Sequence, residues 1–155
     1  MLSKTLNRSL SRRRNDDGFT LIELLVVVVI LGILIGIAIP VYLSYRKSAN
    51  DKAAQSDLRG AISTLEVCNS ENAAYPVQAA GAVTLPWTAC PGQKVTSSDN
   101  TTMNYVGTTA TYSLVSTNSG GSGKFYCYNS SKGGSVAEMK PTPASITAAL
   151  TTCST

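Results

Sequence analysis

Sixteen consecutive residues, Leu24 to Ile39, are apolar or glycine. A helix that is apolar on every side has no solvent face, so it needs either the centre of a large core or a bilayer. A chain of 155 residues offers one small domain and little room for the first. Extended to Phe19 and Leu43, the run reaches 25 residues, interrupted only by Thr20, Glu23, Pro40 and Tyr42. At about 1.5 Å per residue this is ~37 Å of helix, enough to cross a ~30 Å hydrocarbon core. A secretory signal is the competing reading, and it requires cleavage beyond the run. Gly36-Ile-Ala38 is a poor approximation to such a site, and sixteen residues exceed a usual signal core.

Charge supports an anchor with a fixed orientation. The net charge is +4, but Lys4, Arg8, Arg12, Arg13 and Arg14 precede the run with only Asp16 and Asp17 against them. Residues 19–155 hold eight basic and seven acidic side chains. The excess is therefore not a nucleic-acid footprint. It belongs to the N-terminal segment, where basic residues retain that end in the cytoplasm. Tyr42, Tyr45, Arg46 and Lys47 at the other end suit a membrane interface or a plain solvent boundary.

All four cysteines, Cys68, Cys90, Cys127 and Cys153, follow the run, which predicts disulfides in an oxidising compartment. None of their spacings makes a zinc pair, so no metal is expected. Pairing of nearest neighbours in sequence is preferred, Cys68 with Cys90 and Cys127 with Cys153, among three possible arrangements. With no histidine, neither a Ser-His nor a Cys-His nucleophile pair exists. Asp57, Glu66, Glu71, Asp99 and Glu138 form no paired constellation for acid-base work. No cofactor motif is present, and an enzyme is not expected.

Beyond the apolar run, Ala54, Leu58, Ala61, Ile62, Leu65 and Cys68 recur at spacings of three and four. The helix is predicted to continue to about Asn69, with Asp51, Lys52, Gln55, Asp57 and Arg59 around its other sides. A loop region is expected to about Asn104. Residues 110–116 and 124–128 read as two strands joined by the turn 118–123, whose Gly120-Gly-Ser-Gly123 reads as flexible. Residues 135–140 are a shorter third strand, and Thr142-Pro143 starts a short helix through Leu150. Two or three strands cannot bury both faces alone. The fold class is α+β: a long N-terminal helix, membrane-spanning in its first half, packed on a small antiparallel sheet.

Glu23 remains to be explained. Thr20-Leu-Ile-Glu23 matches a capping box, which satisfies backbone donors at a helix start. Yet its neighbours are apolar, and a carboxylate drawn into a bilayer costs on the order of 2.5–3.5 kcal/mol unless a cation meets it. No Lys or Arg lies between Arg14 and Arg46. Cleavage after Gly18 would make one, the α-amino group of Phe19.

Gly18-Phe-Thr-Leu-Ile-Glu23, followed by an apolar run and Pro40, resembles the processing site and N-terminal helix of type IV prepilins and pseudopilins. The likeness covers about Arg12 to Leu65; Asp16 and Asp17 stand where many family leaders carry a basic residue. The resemblance implies a leader, residues 1–18, removed by a prepilin peptidase between Gly18 and Phe19, with methylation of the new Phe19 amine. It implies that Glu23 of one subunit pairs with that amine on a neighbour while residues 19–43 bundle in a filament core. Residues 44–155 would form the head. Gly32, Gly36 and Pro40 recur every fourth residue, a spacing that permits close helix approach and a bend. In the resembled family this stretch loosens on assembly.

The implied function is the structural subunit of a type IV pilus. Its implied partners are other copies of itself, the peptidase, assembly-platform proteins and, before assembly, the membrane. A pseudopilin of a type II secretion or DNA-uptake machine is the alternative, and a membrane-tethered binding domain the second. Nucleic-acid contact stays open.

Overall fold

The computed structural model describes residues 19–83 and 90–155. The basic segment 1–18, including Gly18, and the loop residues 84–89 lie outside the described residues. The chain divides into two compact units, Met1–Ile39 and Pro40–Thr155. Helix α1 (Leu21–Asn72) contributes to both and has Pro40 in its interior. It begins two residues after Phe19 and ends three after the expected Asn69.

In the first unit no side chain of α1 from Leu21 to Ile39 is buried. This helix is long and apolar enough to cross a membrane.

The second unit is an α+β domain. Five strands follow α1: β1 (Gln78–Ala82), β2 (Thr101–Gly107), β3 (Tyr112–Asn118), β4 (Phe125–Asn129) and β5 (Ala137–Glu138), before helix α2 (Ile146–Ser154). They form one sheet in chain order, and every neighbouring pair is antiparallel. The two strands read from residues 110–116 and 124–128 are β3 and β4, and the third is β5. The loop expected up to Asn104 is corrected: β1 and the start of β2 lie inside it. β1 reads QAAGA, with no β-branched or aromatic residue, and gains its form only by pairing with β2. In β2, Met103 and Tyr105 are buried, with Asn104 between them buried as well, so burial does not follow the alternation of polarity.

The central strand β3 is covered on both sides. Tyr112, Leu114, Met103, Tyr105 and Tyr126 pack on the α1 stripe Ala54, Leu58, Ala61, Leu65 and Cys68. Ile62, expected in that stripe, is only partly buried against this core. Val115, on the other face, packs with Ala149, Leu150 and Cys153 of α2. The start of α2 is also corrected. Ser145, rather than Thr142-Pro143, opens it, because its hydroxyl accepts from Ala148 N–H at 3.1 Å. Disulfides join Cys68 to Cys90 and Cys127 to Cys153, fixing the end of α1 and the C-terminal helix to the domain. Each closes a loop worth about 3 kcal/mol in the chain-entropy account.

Two polar arrangements hold helix to sheet. Asp51, expected on the solvent side, is buried at 6% exposure. Its carboxylate accepts from Ser122 N–H at 2.9 Å and from the Ser122 hydroxyl. Asn50 Nδ2 donates to Gly120 O at 2.8 Å. The Gly-rich turn read as flexible is therefore clamped. A Cβ on Gly121 would strike Asp51, and one on Gly120 would strike Asn50, so a side chain at either position displaces its partner in the clamp. Farther along α1, Glu66 accepts from the hydroxyls of Tyr75 (3.0 Å) and Tyr112 (2.8 Å). The rings of Tyr75 and Tyr112 meet edge to face at 4.7 Å. Tyr105 donates to Pro76 O at 2.6 Å, and its hydroxyl fills the space a Cβ of Gly107 would need.

Asp51→Ala removes the charged acceptor of two Ser122 hydrogen bonds and should cost roughly 1.5–3 kcal/mol. Gly121→Ala displaces the same carboxylate. Because the two act on one clamp, the double variant should lose less than the sum of the singles. Urea midpoints of the full chain in detergent check this; strict additivity contradicts a shared clamp.

Burial, then the adjacent Glu66, pushes the Tyr112 hydroxyl far above its ordinary value of 10.0. Burial also raises Tyr105. A raised folded-state value favours the folded form while the phenol is protonated. The stabilisation is complete below about pH 10 and is lost as pH rises toward the folded values. Denaturation midpoints should therefore fall between about pH 10 and about pH 12, and Tyr112→Phe should flatten that fall.

Candidate functional site

The one carboxylate of the apolar run lies in the first turn of α1. Thr20 precedes the helix, and its backbone N–H donates to Glu23 Oε2 at 2.9 Å. Its hydroxyl donates to the same oxygen at 2.8 Å, and Glu23 N–H points back to Thr20 Oγ1 at 3.3 Å. Leu24 N–H closes the turn onto Thr20 O at 3.3 Å. This is the reciprocal capping box, two otherwise orphaned donors satisfied by one pair of side chains. Both bonds to the carboxylate fall on Oε2, so Oε1 carries no partner among the described residues.

Phe19 is 76% exposed. Together with Ile22, Val26 and Val27 it lines a shallow recess beside Glu23 of about 460 Å³. Gly18, on the other side of the expected cleavage point, lies outside the described residues. The arrangement offers an anionic oxygen at the rim of an apolar surface. What it can do chemically is accept a cation from another molecule.

Gly32 and Gly36 have open space where a Cβ would stand, with no atom within 4 Å. The chain's own packing therefore does not require glycine at either position. α1 stays helical through Gly32, Gly36 and Pro40. Pro40 carries no N–H, so the carbonyl of Gly36 loses its helical donor there.

Five carboxylates of the second unit, Asp51, Asp57, Glu66, Glu71 and Glu138, act as clamps. Asp51 serves Ser122, as above, and Asp57 accepts from Ser98 N–H (2.7 Å) and its hydroxyl (3.0 Å). Glu66 serves two tyrosines, Glu71 accepts from Gln93 Nε2 at 3.2 Å, and Glu138 pairs with Lys124 at 3.1 Å. They are dispersed along α1 and the sheet, each engaged by a group of the domain itself. Sequence spacing missed these roles because the partners lie 41 to 71 residues away for Asp57 and Asp51. Among the described residues no three His, Cys, Asp or Glu side chains converge as metal ligands would. Asn129, in a glycosylation triplet with Ser131, is buried and donates to Cys153 O at 2.8 Å.

The chain is similar to known proteins. Residues 13–39 match the model of the prokaryotic N-terminal methylation motif. The chain is 35% identical over 109 residues to the type IV wide pilus major component of Thermus thermophilus, covering 70% of this chain and 78% of that protein. It is 42% identical over 65 residues to the type II secretion system core protein G of Pseudomonas aeruginosa, 42% of this chain and 46% of that one. The corresponding protein of Vibrio cholerae is 36% identical over 67 residues. The chain thus spans most of the pilus component but about half the length of the core G proteins.

Thr20→Val removes the hydroxyl that both accepts and donates in the box. A cap is worth about 1 kcal/mol, so exchange of the Glu23 amide with solvent, followed by NMR in micelles, should speed roughly fivefold. Thr20→Ser should restore it. Unchanged exchange in the valine variant contradicts the cap.

Proposed function

The chain belongs to the family of type IV pilins and the related pseudopilins, and from that membership we propose that it is the structural subunit of a type IV pilus. One observation carries the choice within the family. The likeness to the pilus component runs over 109 residues, more than the 52 of α1, so it reaches into the domain that follows. The core G likenesses cover less than half of this chain. They keep a pseudopilin as the second reading.

In this proposal residues 1–18 are a leader facing the cytoplasm, held there by its basic residues. A prepilin peptidase cuts between Gly18 and Phe19 and the Phe19 amine is methylated. Glu23 then accepts that amine from a neighbouring subunit, and assembly-platform proteins move subunits from membrane to fibre. Residues 19–43 are the anchor and filament-core segment, and residues 44–155 the head. Three features support the reading. Oε1 of Glu23 has no partner among the described residues, the surface around it is apolar, and the open sites at Gly32 and Gly36 leave room for close approach of another helix. Pro40 and those glycines would let the helix loosen on assembly. The role is mechanical, and catalysis has no part in it.

Charge pairing gives the test. Glu23→Gln leaves the Phe19 amine of a neighbour unpaired in an apolar surrounding, a loss of about 3–5 kcal/mol for a buried pair. Cells carrying this variant should still process the chain to Phe19 but should yield few fibres. Fibres at the parental level would contradict the pairing.

A further inference from the structure

The apolar run gives way to Tyr42, Leu43, Ser44, Tyr45, Arg46 and Lys47. Tyr42 and Tyr45 are 65% and 73% exposed, and both basic residues are exposed as well. The one ion pair among the described residues joins Lys124 to Glu138, so neither Arg46 nor Lys47 has a carboxylate partner there. Asp51 lies one turn beyond Lys47, yet its carboxylate is engaged by Ser122.

At 3.6 residues per turn, Tyr42, Tyr45 and Arg46 share one face of α1, and Lys47 falls on the side that carries Asp51 and Leu58. A docking site for a single protein partner would gather these groups on one face. Here Lys47 stands about 100° from Arg46, so the groups spread over roughly 200° of the helix within about 8 Å of its rise. That spread is wider than one docking face, and it follows directly on a run long and apolar enough to cross a membrane. Phenol rings place an apolar body against acyl chains and a hydroxyl among the headgroups. A guanidinium takes a phosphodiester through paired N–H donors, and an ammonium adds a point charge.

We propose that Tyr42, Tyr45, Arg46 and Lys47 form a collar that binds anionic phospholipid headgroups while the subunit is anchored in the membrane. The collar rests on the membrane anchor of the proposed function. A zwitterionic headgroup carries its own cation and competes with the collar for its phosphate, so a net anionic lipid is preferred. Each basic residue near an anionic surface favours it by roughly fivefold.

The test reconstitutes the full chain in phosphatidylcholine vesicles containing a minor fraction of phosphatidylglycerol. Spin-labelled forms of the two lipids report which one the protein holds at its surface. The double variant Arg46→Gln with Lys47→Gln keeps every basic residue of the N-terminal segment, so the difference from the parent isolates the collar. Both side chains are exposed and have no carboxylate partner among the described residues, and the variant is expected to fold. Preference for phosphatidylglycerol should fall at least about fivefold in the variant, and raised salt should lower it in the parent. Equal preference in parent and variant overturns the collar alone. A chain that does not stay with the vesicles contradicts the membrane anchor, and the collar falls with it.

Discussion

One helix carries two surfaces that need different surroundings, and the rest of the structure depends on this. From Leu21 to Ile39 the chain buries none of its own side chains. An apolar surface of that extent does not remain in water. From Asp51 to Cys68 the same helix buries a stripe against the sheet. The first surface must find lipid or other copies of itself, and the second is satisfied within the chain. A subunit of the pilin family uses both kinds of surroundings, and the small residues Gly32 and Gly36 suit either, since nothing in the chain itself fills the space beside them.

The single carboxylate in the first surface is tolerable for a related reason. Thr20 engages one oxygen twice, which satisfies the helix start and fixes the side chain near its own backbone. The second oxygen carries no partner among the described residues, which leaves it open to the proposed charge pair. The capping box and the charge pair are thus compatible rather than competing accounts of Glu23, since they use different atoms of one group. Three carboxylates of the second unit have the opposite character. Asp51, Asp57 and Glu66 face inward to loop and sheet and hold α1 in place.

The sequence made the periodic parts of the fold legible. The apolar run, the stripe from Ala54 to Cys68 and the aromatic strands β3 and β4 each repeat at the spacing of their element. β1 was not legible, because an Ala-rich edge strand has no local signal and exists through its pairing with β2. β2 was missed although Met103-Asn-Tyr105 alternates in polarity, because the alternation is too short to stand out from the loop before it; the burial of Asn104 was not legible at all. Asp51 was misplaced for a similar reason. Its burial is made acceptable by Ser122, far away in sequence. The turn 118–123 looked flexible because glycine suggests freedom, whereas Gly120 and Gly121 are small so that Asn50 and Asp51 can approach. At the site, the residue types were readable from Gly18 to Glu23, but the use of a single Glu23 oxygen required coordinates.

The most direct measurement is mass spectrometry of fibres sheared from cells, reading the N-terminal peptide. Abundant peptide beginning at methylated Phe19 in the fibre fraction is the result this account predicts. The same peptide confined to membranes would contradict the pilus role and favour a pseudopilin. Stable protein that keeps Met1 to Gly18 would contradict processing altogether.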